Sequence, residues 1–150
     1  MDDQHKPAKK VVTYDTKTGE ENGYLIEINK ENDLTKVYMT VAYPKCFKGY
    51  HLHRVREANY MCIKGRIKII LCMPEGYKTY ILDSSKPTTL NIPTNIPTGL
   101  WNDSESEEAW IINCPNPPYD PKLKNEQVDY TQEEIEEYYT LEINFGDITN

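Results

Sequence analysis

From Val11 to Cys114 the apolar residues fall into short runs bounded by Gly, Pro and Asn clusters, with no helix-forming stretch between them. Runs of this kind lie at 11–14, 24–28, 36–43, 60–64, 66–71, 77–82, 90–92 and 108–114, and their alternation or continuous β-rich character is that of strands. With no helices to cover its faces, such a set can bury a core only by closing into a barrel or stacking as a sandwich. Ten prolines, seven glycines and twelve tyrosines suit that outcome, because they supply turns and half-buried strand positions. A length of 150 residues predicts one domain over 1–150, with the polar stretch 1–10 as a flexible tail.

Two local signals refine this. Gly65 separates two β-rich runs, and its access to positive φ predicts a tight hairpin joining them. At the acidic end, Thr131-Gln132-Glu133-Glu134 has the spacing of a capping box and leads into Ile135, which predicts one short helix over 131–139. The carboxylates of that helix are expected to form a solvated face.

Two of the three histidines stand together in Gly49-Tyr50-His51-Leu52-His53. On a strand, side chains alternate between faces, so His51 and His53 project the same way while Leu52 turns from them. Imidazole is the side chain whose ordinary pKa lets it both take and give a proton near neutrality, and two so close titrate as a coupled pair.

The HxH strand, the glycine turn at Gly65 and the Ile92-Pro93 turn, in this order, resemble the cupin superfamily. More narrowly, His51-Leu-His-Arg-Val-Arg-Glu-Ala-Asn-Tyr-Met-Cys-Ile-Lys-Gly65 resembles the corresponding segment of the sugar 3,4-ketoisomerases that act on dTDP-4-keto-6-deoxyglucose. The match includes the His-to-Gly spacing, Arg54, Glu57 and Cys62. Ile111 to Pro121 is similar to the last barrel strand and exit of the dTDP-4-dehydrorhamnose 3,5-epimerase-like proteins. Both groups belong to the sugar-nucleotide branch of the cupins, and the likeness covers roughly residues 37–121.

The resemblance implies an all-β fold: a cupin-type double-stranded β-helix (jelly-roll) barrel, here with a short C-terminal helix. It implies an isomerase or epimerase acting on a dTDP-4-keto-6-deoxyhexose in deoxysugar and surface polysaccharide biosynthesis, without a cofactor and as a homodimer. A 4-ketone acidifies the hydrogen on the adjacent carbon, so a base of near-neutral pKa can remove it. His51 is assigned as that base and His53 as its acid or relay partner. Lys48 and Arg54, which flank the histidines more closely than Arg56, Arg66 or Lys68, are the expected pyrophosphate cations. Tyr38, Tyr60, Trp101 and Tyr119 are the expected aromatics at the barrel mouth, and Asn113 a further substrate contact.

Two positions depart from the family pattern. The 3,5-epimerases carry a catalytic Tyr where this chain has Asn113, and epimerase-like relatives carry a further His where it has Thr98. Two other readings follow. One is a sugar-nucleotide-binding cupin without turnover; the other is a metal cupin using His51, His53 and Glu57 for Fe, Mn or Zn.

A net charge of −7 speaks against a nucleic-acid partner, because a phosphate backbone repels an acidic domain. Cys46, Cys62, Cys72 and Cys114 form no CxxC pair and read as reduced thiols. No run is long and apolar enough for a signal peptide or membrane span, so a cytoplasmic protein without a membrane partner is expected.

Overall fold

The computed structural model describes residues 10–27, 37–117 and 120–139. The short runs become strands β1 (Lys10–Tyr14), β2 (Glu21–Glu27), β3 (Tyr38–Ala42), β4 (Phe47–His53), β5 (Ala58–Lys64), β6 (Arg66–Met73), β7 (Gly76–Asp83), β8 (Leu90–Ile92), β9 (Thr98–Trp101), β10 (Ala109–Asn113) and β11 (Gln127–Asp129), followed by helix α1 (Gln132–Tyr139). Residues 1–9 of the expected tail lie outside the described residues, whereas Lys10 already belongs to β1.

The strands form a six-stranded sheet in the order β1-β2-β3-β10-β5-β8 and a five-stranded sheet in the order β11-β4-β9-β6-β7. All the strand pairings are antiparallel. Alternation along each strand sends one set of side chains between the sheets, where Ala42, Cys62, Ile67, Ile69, Leu100 and Ile111 form a common apolar core. Two packed antiparallel sheets are one of the two closures the runs allow, and they agree with the all-β jelly roll that the resemblance implies.

The hairpin expected at Gly65 does not form. β5 pairs with β10 and β8, whereas β6 pairs with β9 and β7, so Gly65 carries the chain from one sheet to the other. The need for glycine is real, with φ at 72° and room for no side chain: a Cβ here would lie only 2.6 Å from the Glu108 carbonyl oxygen. Local sequence marks the turn but not which strand lies next to which. β6 instead forms a hairpin with β7, closed at Met73 and Gly76.

The five-stranded sheet is apolar on its outer face as well. Tyr50, Ile70, Cys72 and Ile135 make a second cluster there, with Phe47, Tyr77, Trp101 and Tyr130 against it. Ile135 is 1% exposed and holds α1 on the sheet, a burial that contributes about 1.5–3 kcal/mol. The capping box is formed: Glu134 N donates to Thr131 Oγ1 at 3.2 Å, and Thr131 N donates to a Glu134 carboxylate oxygen at 3.2 Å. No helix among the described residues is long and apolar enough to cross a membrane.

Candidate active site

β4 supplies the centre of the site by a break in its own regularity. Lys48 pairs with Leu100 and His51 with Thr98, so three steps along β4 match two along β9. The extra residue is a bulge at Gly49-Tyr50, and it reverses the alternation, so that Lys48, His51 and His53 share the inner face. Glycine is required at the bulge, since φ is 133° and a Cβ would lie 2.7 Å from the Thr98 carbonyl oxygen.

These three line a cavity of about 510 Å³ together with Tyr38, Tyr60 and Asn113. Six of the nine residues anticipated from sequence are thereby brought into one place. Of the other three, Arg54 and Trp101 are not part of it. Arg54 is exposed beyond the end of β4. Trp101 lies on the outer face of its sheet, against Tyr50 and Ile70, and lines a separate cavity. Tyr119 lies outside the described residues. Arg56, grouped with the nearby cations but not favoured, is the arginine that reaches the cavity.

β11 was not anticipated, and it completes the site. It pairs with β4 so that Gln127 stands opposite His53 and Asp129 opposite His51. His51 Nδ1 donates to Asp129 Oδ1 at 2.6 Å, and Gln127 Nε2 donates to the same oxygen at 2.9 Å. The bond from His51 is the chief reason the Asp129 carboxyl lies well below its usual range, at about 2; partial burial opposes it and Gln127 assists. With its proton on Nδ1, His51 keeps the lone pair on Nε2, the arrangement a general base requires.

His53 is more deeply set. Its Nδ1 lies 3.1 Å from Glu126 Oε2 and 3.1 Å from Arg56 Nε. One partner accepts a proton and the other donates one, so both neutral tautomers of His53 find a hydrogen bond. Burial lowers the His53 pKa first, the Arg56 charge adds to this, and Glu126 offsets part of it, so the ring is neutral at pH 7. For Glu126, burial alone would raise the pKa, but the His53 hydrogen bond and the Arg56 charge outweigh it and bring the carboxyl below its ordinary value. A smaller, mostly apolar space of about 40 Å³ adjoins both imidazoles, walled by Ala58, Ile92, Pro93, Ile96 and Leu100 together with Arg56, Tyr60 and Thr98.

The metal set of His51, His53 and Glu57 is not assembled. Glu57 bridges in its backbone to Asn116 and receives a hydrogen bond from Asn91 at 3.3 Å, away from the cavity. Among the described residues, no three His, Cys, Asp or Glu side chains converge as a metal-binding group. Asn113 lines the cavity, and its Oδ1 accepts from Asn59 N at 3.1 Å.

The chain matches the family described as "FdtA: WxcM-like, C-terminal" over residues 9–135. No curated protein matches it in sequence. Among solved structures, it is similar to the capsular polysaccharide assembling protein CapF from Staphylococcus aureus, with a TM-score of 0.68 and 19% identity over 83% of this chain and 33% of that one. It is also similar to Rru_A2000 of Rhodospirillum rubrum, a cupin-2 domain, with a TM-score of 0.63 and 11% identity over 85% of this chain and 78% of that one. Vicilin from hazelnut, Corylus avellana, aligns with a TM-score of 0.60 and 18% identity over 87% of this chain and 35% of that one. The chain thus spans about a third of the length of CapF or vicilin.

Proposed function

Because the chain belongs to the FdtA family of WxcM-like, C-terminal domains, in the sugar-nucleotide branch of the cupins, we propose that it is a sugar-nucleotide isomerase working by histidine-mediated proton transfer beside a ketone. The observation that carries this reading is the pair of co-facial imidazoles in one cavity, each backed by a carboxylate from the same short segment. A purely structural histidine needs hydrogen-bond partners but no open cavity in front of it.

In this reading His51 Nε2 removes the hydrogen from the carbon next to the ketone, and Asp129 stabilises the imidazolium that results. His53 returns or relays a proton. Its two alternative Nδ1 partners let it present Nε2 either with or without a proton, as a relay group must. The substrate class is a dTDP-4-keto-6-deoxyhexose, and the small apolar space beside the imidazoles suits a C6 methyl group. Asn113 favours 3,4-ketoisomerisation over 3,5-epimerisation, because an amide offers no acid on the last barrel strand for reprotonating a second carbon. Arg56 and Lys48 are the cations of the cavity, and Tyr38 and Tyr60 its aromatics. Similarity in fold to CapF, a capsular polysaccharide assembling protein, supports a role in surface polysaccharide synthesis. A cytoplasmic homodimer is part of the same proposal.

The test is proton NMR of dTDP-4-keto-6-deoxyglucose incubated with the protein. Appearance of a 3-keto sugar, abolished in His51→Asn, supports the proposal. An unchanged substrate spectrum with intact dTDP binding would leave a binding protein without turnover.

A further inference from the structure

Lys48 occupies a position that no substrate-binding duty at the surface accounts for. It is 7% exposed and lies on the inner face of β4, on the side of the sheet that carries His51 and His53. Its Nζ reaches across to β3 in the facing sheet, donating to Thr40 Oγ1 at 2.7 Å and to the Val41 carbonyl at 3.2 Å. Both acceptors are neutral, and an ammonium has three N–H groups to place. Among the described residues no carboxylate pairs with it, in contrast to Arg56, which has Glu126.

A buried cation without a counter-ion is costly, and removing either the charge or the burial would relieve that cost. Burial accordingly lowers the Lys48 pKa, to about 8. Such a group is charged at neutral pH, poorly hydrated, and surrounded by a low dielectric that strengthens its attraction for any anion entering the cavity. A pyrophosphate is bulky and strongly hydrated, and is poorly matched to one N–H inside the barrel. A single oxyanion generated beside the histidines is well matched to it.

We infer that Lys48 is a catalytic residue that stabilises the enediolate oxygen formed during proton transfer, rather than a clamp on the pyrophosphate. The step balances without a further reactant. The C3–H bond breaks and its proton passes to His51 Nε2. The C–H electron pair becomes the C3–C4 double bond, and the carbonyl π pair moves to the C4 oxygen, which the third Lys48 N–H then binds. In the collapse His53 relays the C3 hydroxyl proton to the C4 oxygen, the C3 oxygen's electron pair forms the C3 ketone, and the C3–C4 π pair takes the proton held by His51 onto C4, so that one C–H bond is broken and one is formed. This inference rests on the isomerase reading above.

The experiment compares wild type with Lys48→Met and Lys48→Arg in the complete chain. It measures turnover of dTDP-4-keto-6-deoxyglucose, C3 hydrogen exchange in D₂O, and the Kd of dTDP by calorimetry, with circular dichroism as the check on folding. Lys48→Met is expected to lower kcat and exchange by about 10²–10³-fold, the cost of losing one oxyanion donor, while dTDP affinity stays within about threefold. Lys48→Arg is expected to recover part of the exchange. A fall of about tenfold or more in dTDP affinity with kcat nearly unchanged would overturn the inference in favour of a pyrophosphate clamp. Exchange in Lys48→Met as fast as in wild type would overturn it while leaving the isomerase reading intact. Absence of exchange in wild type itself would overturn both. Should Lys48→Met not fold, Lys48→Gln against Lys48→Arg makes the same comparison, and equal rates for the two would count against the inference.

Discussion

At His51, one hydrogen bond decides which nitrogen holds the proton, and Asp129 is the residue that makes it. Asp129→Asn keeps the shape and allows the amide to donate to Nδ1, which moves the imidazole proton to Nε2 and removes the lone pair that the proposed proton transfer needs. We expect kcat to fall by about 10²–10⁴-fold in an NMR turnover assay, the range over which a positioned acid–base group acts. The same carboxylate has a signature in stability. Its folded pKa is depressed from 3.8 to about 2, so its contribution is present above the unfolded pKa and is lost as pH falls through that interval. Urea midpoints of wild type and Asp129→Asn should therefore converge between about pH 4 and pH 2, from a gap that the half-exposed site keeps under about 1 kcal/mol. At this scale the histidines were legible because strand alternation links positions two apart. Their carboxylate partners were not, because Glu126 and Asp129 follow them by 73 and 78 residues in an acidic stretch that resembles any solvated surface. Lys48 was identified, but simple alternation puts it on the face opposite His51, and only the bulge corrects that.

β11 is three residues long and belongs to an edge, yet it places both carboxylate partners and Gln127. Tyr50 and Tyr130 exchange backbone hydrogen bonds at 3.0 and 2.9 Å, and Arg54 N donates to the Glu126 carbonyl at 2.8 Å. By the alternation of an antiparallel ladder, Val128 opposite Leu52 is also a hydrogen-bonded position. Val128→Pro should break that bond and detach Asp129 from His51, lowering kcat by about tenfold or more while costing about 1–3 kcal/mol of stability in a thermal melt. Thr131→Ala is the contrasting case. Losing the cap should cost about 0.5–2 kcal/mol with kcat unchanged, because α1 supports the outer face of the sheet and not the cavity. Helix and capping box were readable from four adjacent residues, whereas β11 was not, since three residues reading Gln-Val-Asp carry no periodicity of their own. Gly65 makes the same point, because a glycine with positive φ specifies a turn and leaves open whether the next strand stays in the sheet.

For the whole molecule, the regular succession of short strands without helices was enough to read a β-barrel or β-sandwich, since few other arrangements bury such strands. What the succession does not contain is the order of strands within each sheet, which brings β4, β9 and β11 side by side and so gathers residues 48, 51, 53, 98 and 129 on one wall. The central claim is that this wall moves a proton at the carbon beside a ketone. Its most direct test is deuterium incorporation at C3 of dTDP-4-keto-6-deoxyglucose in D₂O, compared between wild type, His51→Asn and Asp129→Asn. The account predicts rapid incorporation with wild type and a loss of about 10²-fold or more with each variant. Incorporation that persists in His51→Asn, or that never occurs with a wild-type protein that binds dTDP, would contradict it.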